Sequence, residues 1–191
     1  MDRTPEAFAA ALSSGETDRV NRAIDEVEEM DLEERAGIFD ECLKLCRDVY
    51  ESDDGYQRQS AIRFADALYP RLAFRMVGAE RSDEELPDDH TLDELATHRS
   101  RLRTLYLDAL VDDDGRVRRA AAKALKQLAL TADLIEADDE LQTMLTEIEA
   151  LAEKHGNDDK QKHIEQAYQN VAFHAEKPES LLPAGLRDLL K

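Results

Sequence analysis

Apolar residues recur along this chain at spacings of three and four positions, which is the period of a helix with one buried face. The clearest case follows Gly115, where six apolar residues stand at offsets 0, 3, 4, 7, 8 and 11: Val117, Ala120, Ala121, Ala124, Leu125 and Leu128. Four of the six are small or β-branched, so neighbouring helices can approach this face closely. The pattern predicts a central helix that other helices cover.

The same periodicity predicts eight helices along the chain. We expect the first to begin at Pro5, because Thr4 is a good capping residue and proline favours the first turn. The sixth helix is expected to end near Leu130, and the seventh to begin at Asp138. Seven glycines, five prolines and 5% aromatic residues also fit packed helices better than sheets.

Glycines divide these helices into pairs. Gly15, Gly55, Gly115 and Gly156 each end the first helix of a pair, and their separations along the chain are 40, 60 and 41. The interval of 60 contains the stretch 78–91, which is rich in acids and has no apolar period, and its removal leaves 46. Two-helix repeats have periods of about 40 to 47 residues. We therefore predict a single domain, residues 1–191, of four helical hairpins with an acidic insertion loop at 78–91.

The sixth helix resembles the second helix of a HEAT repeat in the order of its residues, namely Asp113, Val117-Arg118, Ala120-Ala121 and Ala124-Leu125. Arg58 and Ala61 of the fourth helix have the same spacing as Arg118 and Ala121. The resemblance implies an all-α fold, an α-α superhelix of about four HEAT-like repeats. It also implies that Arg118 bonds across to an acid in an adjacent turn, and residues 112–114 supply candidates.

The last residues of the chain are rich in leucine, and Pro178 and Pro183 delimit them. We expect residues 178–191 to form a short tail that caps the open end of the last hairpin. Docking of this tail into another subunit is the alternative. The sequence does not indicate an oligomeric state.

The chain is strongly acidic and poor in lysine. The net charge is −19, and eight lysines stand against 17 arginines, an acid-rich and lysine-poor balance that resembles the proteins of extreme halophiles. Acidity is then an adaptation to salt rather than a sign of the partner. No apolar run approaches the roughly 18 residues of a membrane span, and the N-terminus lacks a signal-peptide pattern. We expect a cytoplasmic protein with no membrane partner.

Cations are nevertheless concentrated in the middle of the chain, where residues 99–129 carry a net charge of +4. On the sixth helix they form a stripe on the side opposite Val117 and Leu125. We predict that this stripe lines a concave groove together with cations of the fourth and fifth helices. The predicted groove residues are Arg71, Arg75, Arg99, Arg103, Arg116, Arg119, Lys123 and Lys126.

Two interpretations of these cations stay open. They bind an anionic partner, or they only pair with carboxylates on neighbouring helices, at about 0 to 1 kcal/mol for each exposed pair. We expect a non-catalytic interaction module that binds a protein partner through the groove. The alternative is binding of nucleic acid or another polyanion through the stripe, although the chain has no tryptophan for base stacking. A cofactor-free enzyme is the third and weakest possibility.

The sequence gives little support for a disulfide, a metal site or a catalytic site. Cys42 and Cys46 lie four residues apart on one helix face, a poor geometry for a disulfide, and we interpret them as reduced core thiols. No histidine stands at zinc-ligand spacing from them. Phosphate loops, nucleophile elbows and His-Glu-x-x-His helices are absent, so we expect no metal, cofactor or catalytic site. The acids at 112–114 are expected to cap a helix rather than bind calcium.

Overall fold

The computed structural model describes residues 1–69, 92–155 and 159–175. Within these ranges the protein is all-helical, with eight helices and no strand. The helices are α1 Pro5–Leu12, α2 Thr17–Glu29, α3 Leu32–Tyr50, α4 Gly55–Leu68, α5 Leu92–Leu110, α6 Gly115–Leu134, α7 Asp138–His155 and α8 Gln161–Ala175. None of these helices has the length and apolar character that a membrane span needs.

Side-chain caps fix where several helices begin. Thr4 accepts a hydrogen bond from the Ala7 amide and Pro5 is the first residue of α1, as predicted. Asp31 and Glu34 form a capping box at the start of α3. Asp54 and Asp114 cap α4 and α6 by accepting from the backbone amide two residues later, at 2.8 Å in both cases. The prediction that residues 112–114 cap a helix is confirmed for Asp114.

The structure extends α6 beyond the predicted end near Leu130, to Leu134. The extra turn continues because Ala132 is buried in the hydrophobic core. Glu136, with a φ of 58°, then turns the chain toward α7. The predicted insertion at 78–91, the tail at 178–191 and Gly156 lie outside the described residues.

Helices contact one another in two ways, as consecutive pairs along the chain and as a series of every second helix. α1 contacts α2, α3 contacts α4, α5 contacts α6 and α7 contacts α8, so the two helices of each predicted pair are in contact. The even-numbered helices also contact one another in succession, α2 with α4, α4 with α6 and α6 with α8. This all-helical arrangement is compatible with a helical-repeat fold.

One hydrophobic core runs through these layers. Val117, Ala121 and Leu125 of α6 are fully buried, as the apolar spacing predicts. Cys42 and Cys46 are buried and free, which confirms the prediction that they lie in the core. Burial raises the pKa of the Cys42 thiol to about 12, so the sulfur is held as an unreactive thiol.

An arginine in the first turn of α4 and another in the first turn of α6 make similar contacts with the turns around them. Arg58 donates to the carbonyl of Ser52 at 2.9 Å, and Arg118 donates to the carbonyl of Asp112 at 2.8 Å. Each arginine also pairs with a carboxylate of the following turn: Arg58 with Asp112 at 2.8 Å, and Arg118 with Asp159 at 2.7 Å. The predicted link from Arg118 to an adjacent turn is therefore present, but its acid is Asp159 rather than one of residues 112–114.

Candidate functional site

An open groove of about 570 Å³ lies where α2, α4 and α6 run side by side, and we call it the central groove. Its lining residues are Ile24, Asp25 and Glu28 of α2, Arg35 of α3, Arg63, Asp66 and Ala67 of α4, and Ala120, Lys123 and Gln127 of α6. A concave site of this size can take several side chains of a partner. The contacts of α2 with α4 and of α4 with α6 hold these helices side by side and so form the groove.

The two outer helices of the central groove carry opposite charges. On α2, Asp25 and Glu28 are exposed and lie three positions apart, which places them on the same face of the helix. On α6, Lys123 is exposed, with 72% of its side chain accessible. Both signs of charge therefore face one opening.

Asp66 of α4 lies between these two sides and is more enclosed, with 16% of its side chain accessible. Its carboxylate is 3.8 Å from the Lys123 ammonium, a distance too long for a strong hydrogen bond. Burial raises the pKa of Asp66, and the nearby Glu28 adds to the rise, while Lys123 opposes it. An incoming cation would find in Asp66 a carboxylate whose charge is poorly compensated.

The other cations of the groove are held by the protein itself. Arg63 donates to the side chain of Asn21 at 2.9 Å. Arg35 is fully buried and donates to the carbonyls of Met30 and Ala67. These acceptors are neutral, so both guanidinium groups keep their positive charge, and that of Arg63 lies beside Asn21 of α2.

The predicted basic stripe is exposed along α6, at Arg116, Arg119, Lys123 and Lys126. Only Lys123 of these four lines the central groove, although helical spacing puts the others along the same edge. Arg116 bonds the Asp114 carboxylate with its Nη2 at 2.6 Å. Among the described residues, no carboxylate lies within ion-pair distance of Arg119 or Lys126.

The structure places the predicted residues of α5 elsewhere. Arg99 is 6% exposed, and its guanidinium makes two hydrogen bonds to Glu140 of α7, the one from Nε at 2.8 Å. Arg103 lies 2.8 Å from Glu147, also on α7. Both arginines therefore join α5 to α7, and neither lines the central groove. Arg71 and Arg75, the predicted groove residues that follow α4, lie outside the described residues.

Sequence reasoning missed the acidic residues of the groove. Asp25, Glu28 and Asp66 were not predicted as groove residues, because in a chain with 44 acids no single carboxylate stands out. Their spacing did hold a signal, since Asp25 and Glu28 stand on the face of α2 opposite the buried Ala23 and Val27. Within the described ranges, no three potential ligands group closely enough to hold a metal ion.

Comparison with known proteins adds no further identification. We found no match to this chain among protein-family models, curated proteins or solved structures.

Proposed function

We propose that this protein is a HEAT-like helical-repeat module that binds a protein partner through the central groove, without catalysis. The observation that carries the proposal is the open groove of about 570 Å³ between three even-numbered helices, with both signs of charge around it. Protein surfaces offer both signs, whereas a polyanion offers one. Two buried free thiols fit a reducing, cytoplasmic setting.

The repeat assignment is supported by the geometry that recurs between the turns before α4 and α6. Asp54 and Asp114 cap their helices in the same way, and Arg58 and Arg118 each bond a carbonyl of the preceding turn and a carboxylate of the next one. Such neighbour-to-neighbour bonds are what a stack of similar helix pairs needs, because each repeat contacts only its neighbours.

A blocking substitution tests the groove. Ala120 is half-buried on the groove side of α6, and Ala120→Trp fills the opening with an indole. The matched control is Ala172→Trp, a half-buried alanine of α8 that does not line the groove. In affinity capture from the cell of origin in multimolar KCl, the wild type and the control should retain the same partner, and Ala120→Trp should lose it. Equal retention by both variants would contradict the proposal.

Polyanion binding is the second candidate, and the exposed Arg119 and Lys126 favour it, because the described residues supply no carboxylate to either one. Fluorescence anisotropy with a labelled single-stranded oligonucleotide tests it directly. Polyanion binding predicts an affinity that falls steeply with KCl concentration and falls further in Arg119→Glu with Lys126→Glu. The protein-partner proposal predicts no saturable binding of the oligonucleotide by either form.

A further inference from the structure

We propose that the surface formed by α6 and α8 binds an extended, acidic segment of the partner that carries an apolar residue beyond its acids. This inference rests on the proposed function and adds the chemistry of the partner to it. We call this surface the α6–α8 face, and its exposed residues are Arg119, Lys123, Lys126 and Leu134 of α6 and Lys162 and Phe173 of α8. It adjoins the central groove, because Lys123 lines both.

α6 and α8 run in the same direction along their contact. Near the starts of the two helices, Arg118 donates to His163 at 3.3 Å. Near their ends, His174 lies 3.1 Å from Asp133. Because each successive residue of a helix is turned by about 100°, these two contacts fix which neighbouring side chains share a side of the helix pair.

Two exposed apolar side chains lie on the same side of this helix pair. Phe173 is 63% exposed and Leu134 is 36% exposed, and among the described residues Met1 is the only other large apolar side chain that is exposed. Leu134 follows Asp133, and Phe173 precedes His174. Because Asp133 and His174 point toward each other from parallel helices, these opposite steps turn both apolar side chains to one side.

On each helix, a cation lies three turns before the exposed apolar residue. Lys123 precedes Leu134 by eleven positions, and Lys162 precedes Phe173 by eleven positions. Eleven positions are about three full turns, so each pair shares one side of its helix, about 16 Å apart along the axis. The α6–α8 face therefore has cations at one end and an apolar patch at the other.

The two helices of this face are poor in acids. The 20 residues of α6 and the 15 residues of α8 contain two acids, Asp133 and Glu165, in a chain that has 44. Both of these acids are bonded within the protein. In the described part of the chain, no carboxylate lies within ion-pair distance of Arg119, Lys126 or Lys162. The cationic end of the face therefore favours carboxylates of a partner.

An acidic protein segment fits both ends of the face better than a nucleic acid does. Single-stranded nucleic acids stack successive bases on aromatic side chains that lie within a cationic groove. Phe173 instead lies beside the aliphatic Leu134, about 16 Å along the axis from Lys162. An apolar side chain of a protein segment can cover this patch, and about five residues of extended chain, at about 3.3 Å each, reach back to the cations.

The middle of the face suits an extended backbone. Gln166 is exposed on α8, seven positions and therefore about two turns before Phe173, on the same side of the helix. Asn170 is half-buried between them. A side-chain amide can both donate and accept hydrogen bonds, so these two residues can bond the N–H and C=O groups of a segment that forms no helix of its own.

A tryptophan reporter tests this surface. The chain has no tryptophan, so Phe173→Trp in the full-length protein places a single indole on the apolar patch. Two synthetic peptides of identical composition are titrated into this variant at moderate KCl concentration. In the spaced peptide, a pair of leucines follows a run of glutamates by about five residues, the length that the face requires. In the mixed peptide, the leucines lie inside the run.

The spaced peptide should bind about tenfold more tightly than the mixed one. It should also shift the indole emission to shorter wavelength, because its leucines cover the patch. Equal affinities, binding without an emission shift, or no binding of either peptide would overturn the inference.

Charge reversal at the cationic end sharpens the test. Lys126→Glu with Lys162→Glu, added to the reporter protein, should weaken binding of the spaced peptide by about tenfold or more, because this end of the face becomes repulsive. An affinity that did not change would overturn the inference.

The matched control is Lys44→Glu with Lys154→Glu, two exposed lysines of α3 and α7 that lie outside the α6–α8 face. It changes the net charge as much as the reversal on the face does, and it should leave peptide affinity unchanged. Circular dichroism at the KCl concentration of the titration establishes that every variant is folded.

The reporter protein without peptide separates the other occupants of the patch. Its indole should be quenched by acrylamide equally at every protein concentration. Protection at every concentration would show that the chain itself covers the patch, with residues 178–191 as the first candidate. Protection that grows with concentration would show that a second copy covers it. Either result would overturn the inference.

Two further outcomes have distinct meanings. If a single-stranded oligonucleotide shifts the indole emission as the spaced peptide does, the face binds nucleic acid and the inference fails. If the two peptides bind equally but Ala120→Trp still loses the partner in the capture experiment, the central groove still binds a protein. The proposed function then stands, and only the chemistry assigned to the α6–α8 face is overturned.

Discussion

Arg58 of α4 holds the carboxylate of Asp112, in the turn before α6, through two hydrogen bonds of 2.8 and 2.9 Å. Only 7% of the Asp112 side chain is accessible. Burial opposes its ionisation, but the bonds from Arg58, the Asp114 amide and Tyr50 lower the pKa of Asp112 overall. The pair therefore joins two successive hairpins through a largely desolvated charge.

Arg58→Ala should lower the free energy of unfolding by about 2 to 4 kcal/mol, because it leaves the enclosed Asp112 carboxylate without its cation. The control is Arg101→Ala, whose partner Asp40 has a side chain that is 70% exposed, and it should cost less than about 1 kcal/mol. Urea titrations at neutral pH measure both values. Equal losses in the two variants would show that Arg58 is not a link between hairpins.

Gly55 sets how closely the start of α4 approaches the turn before α6. A Cβ atom at this position would overlap the carboxylate of Asp114, which caps α6. Gly55→Ala should therefore destabilise the protein by about 1 to 3 kcal/mol. Gly37→Ala is the matched control, since no atom lies within 4 Å of its added Cβ, and it should stabilise α3 by about 0.5 to 1 kcal/mol. Thermal unfolding of the two variants should shift in opposite directions.

Asp66→Asn should stabilise the protein at neutral pH, because burial disfavours the wild-type charge. A carboxyl whose folded pKa is raised above its unfolded value destabilises the fold when ionised, and this cost disappears as pH falls through the folded pKa. The advantage of the variant should therefore shrink on acidification toward pH 3.8, the ordinary pKa of aspartate. An advantage that stayed constant with pH would contradict this account of Asp66.

His163 should give the free energy of unfolding a second pH dependence, opposite in sign to that of Asp66. Arg118 donates from Nε to its Nδ1 at 3.3 Å, which requires a neutral ring. Burial, followed by Arg118, Arg119 and Lys162, lowers the pKa of His163 below its ordinary 6.5. The unfolded chain then binds the proton first, so stability is lost as pH falls below 6.5 toward the folded pKa.

The variant His163→Gln should lack the loss of stability that protonation of His163 causes on acidification. Unfolding free energies of wild type and variant, compared between about pH 7.5 and about pH 5, should converge as the pH falls. The four other histidines are present in both proteins, so any contribution they make cancels from the comparison. Parallel curves would show that His163 does not titrate differently in the folded state.

The helices could be predicted from the sequence because their determinants are local. Apolar spacing located the buried face of α6, and Thr4-Pro5 located the start of α1. The end of α6 was placed too early because its last turn is held by the burial of Ala132, a tertiary contact that periodicity alone does not report.

The site was predictable only in part, because it depends on which helices become neighbours. The exposure of Arg119 and Lys123 follows from the period of one helix. Whether Arg99 faces a groove or Glu140 depends on the packing of α5 against α7, and sequence spacing carries no such information. Asp66 was missed for the same reason, since its enclosure comes from the contact between α4 and α6.

The most direct test of the central groove is photo-crosslinking from position 120. A photoreactive amino acid replaces Ala120 in the full-length protein, and another sample carries it in place of Ala172; crosslinked species from the native cell are identified by mass spectrometry. A binding groove predicts one defined protein adduct from position 120, greatly reduced at position 172. Equal crosslinking from both positions, or no adduct from position 120, would contradict the assignment of the groove as the binding surface.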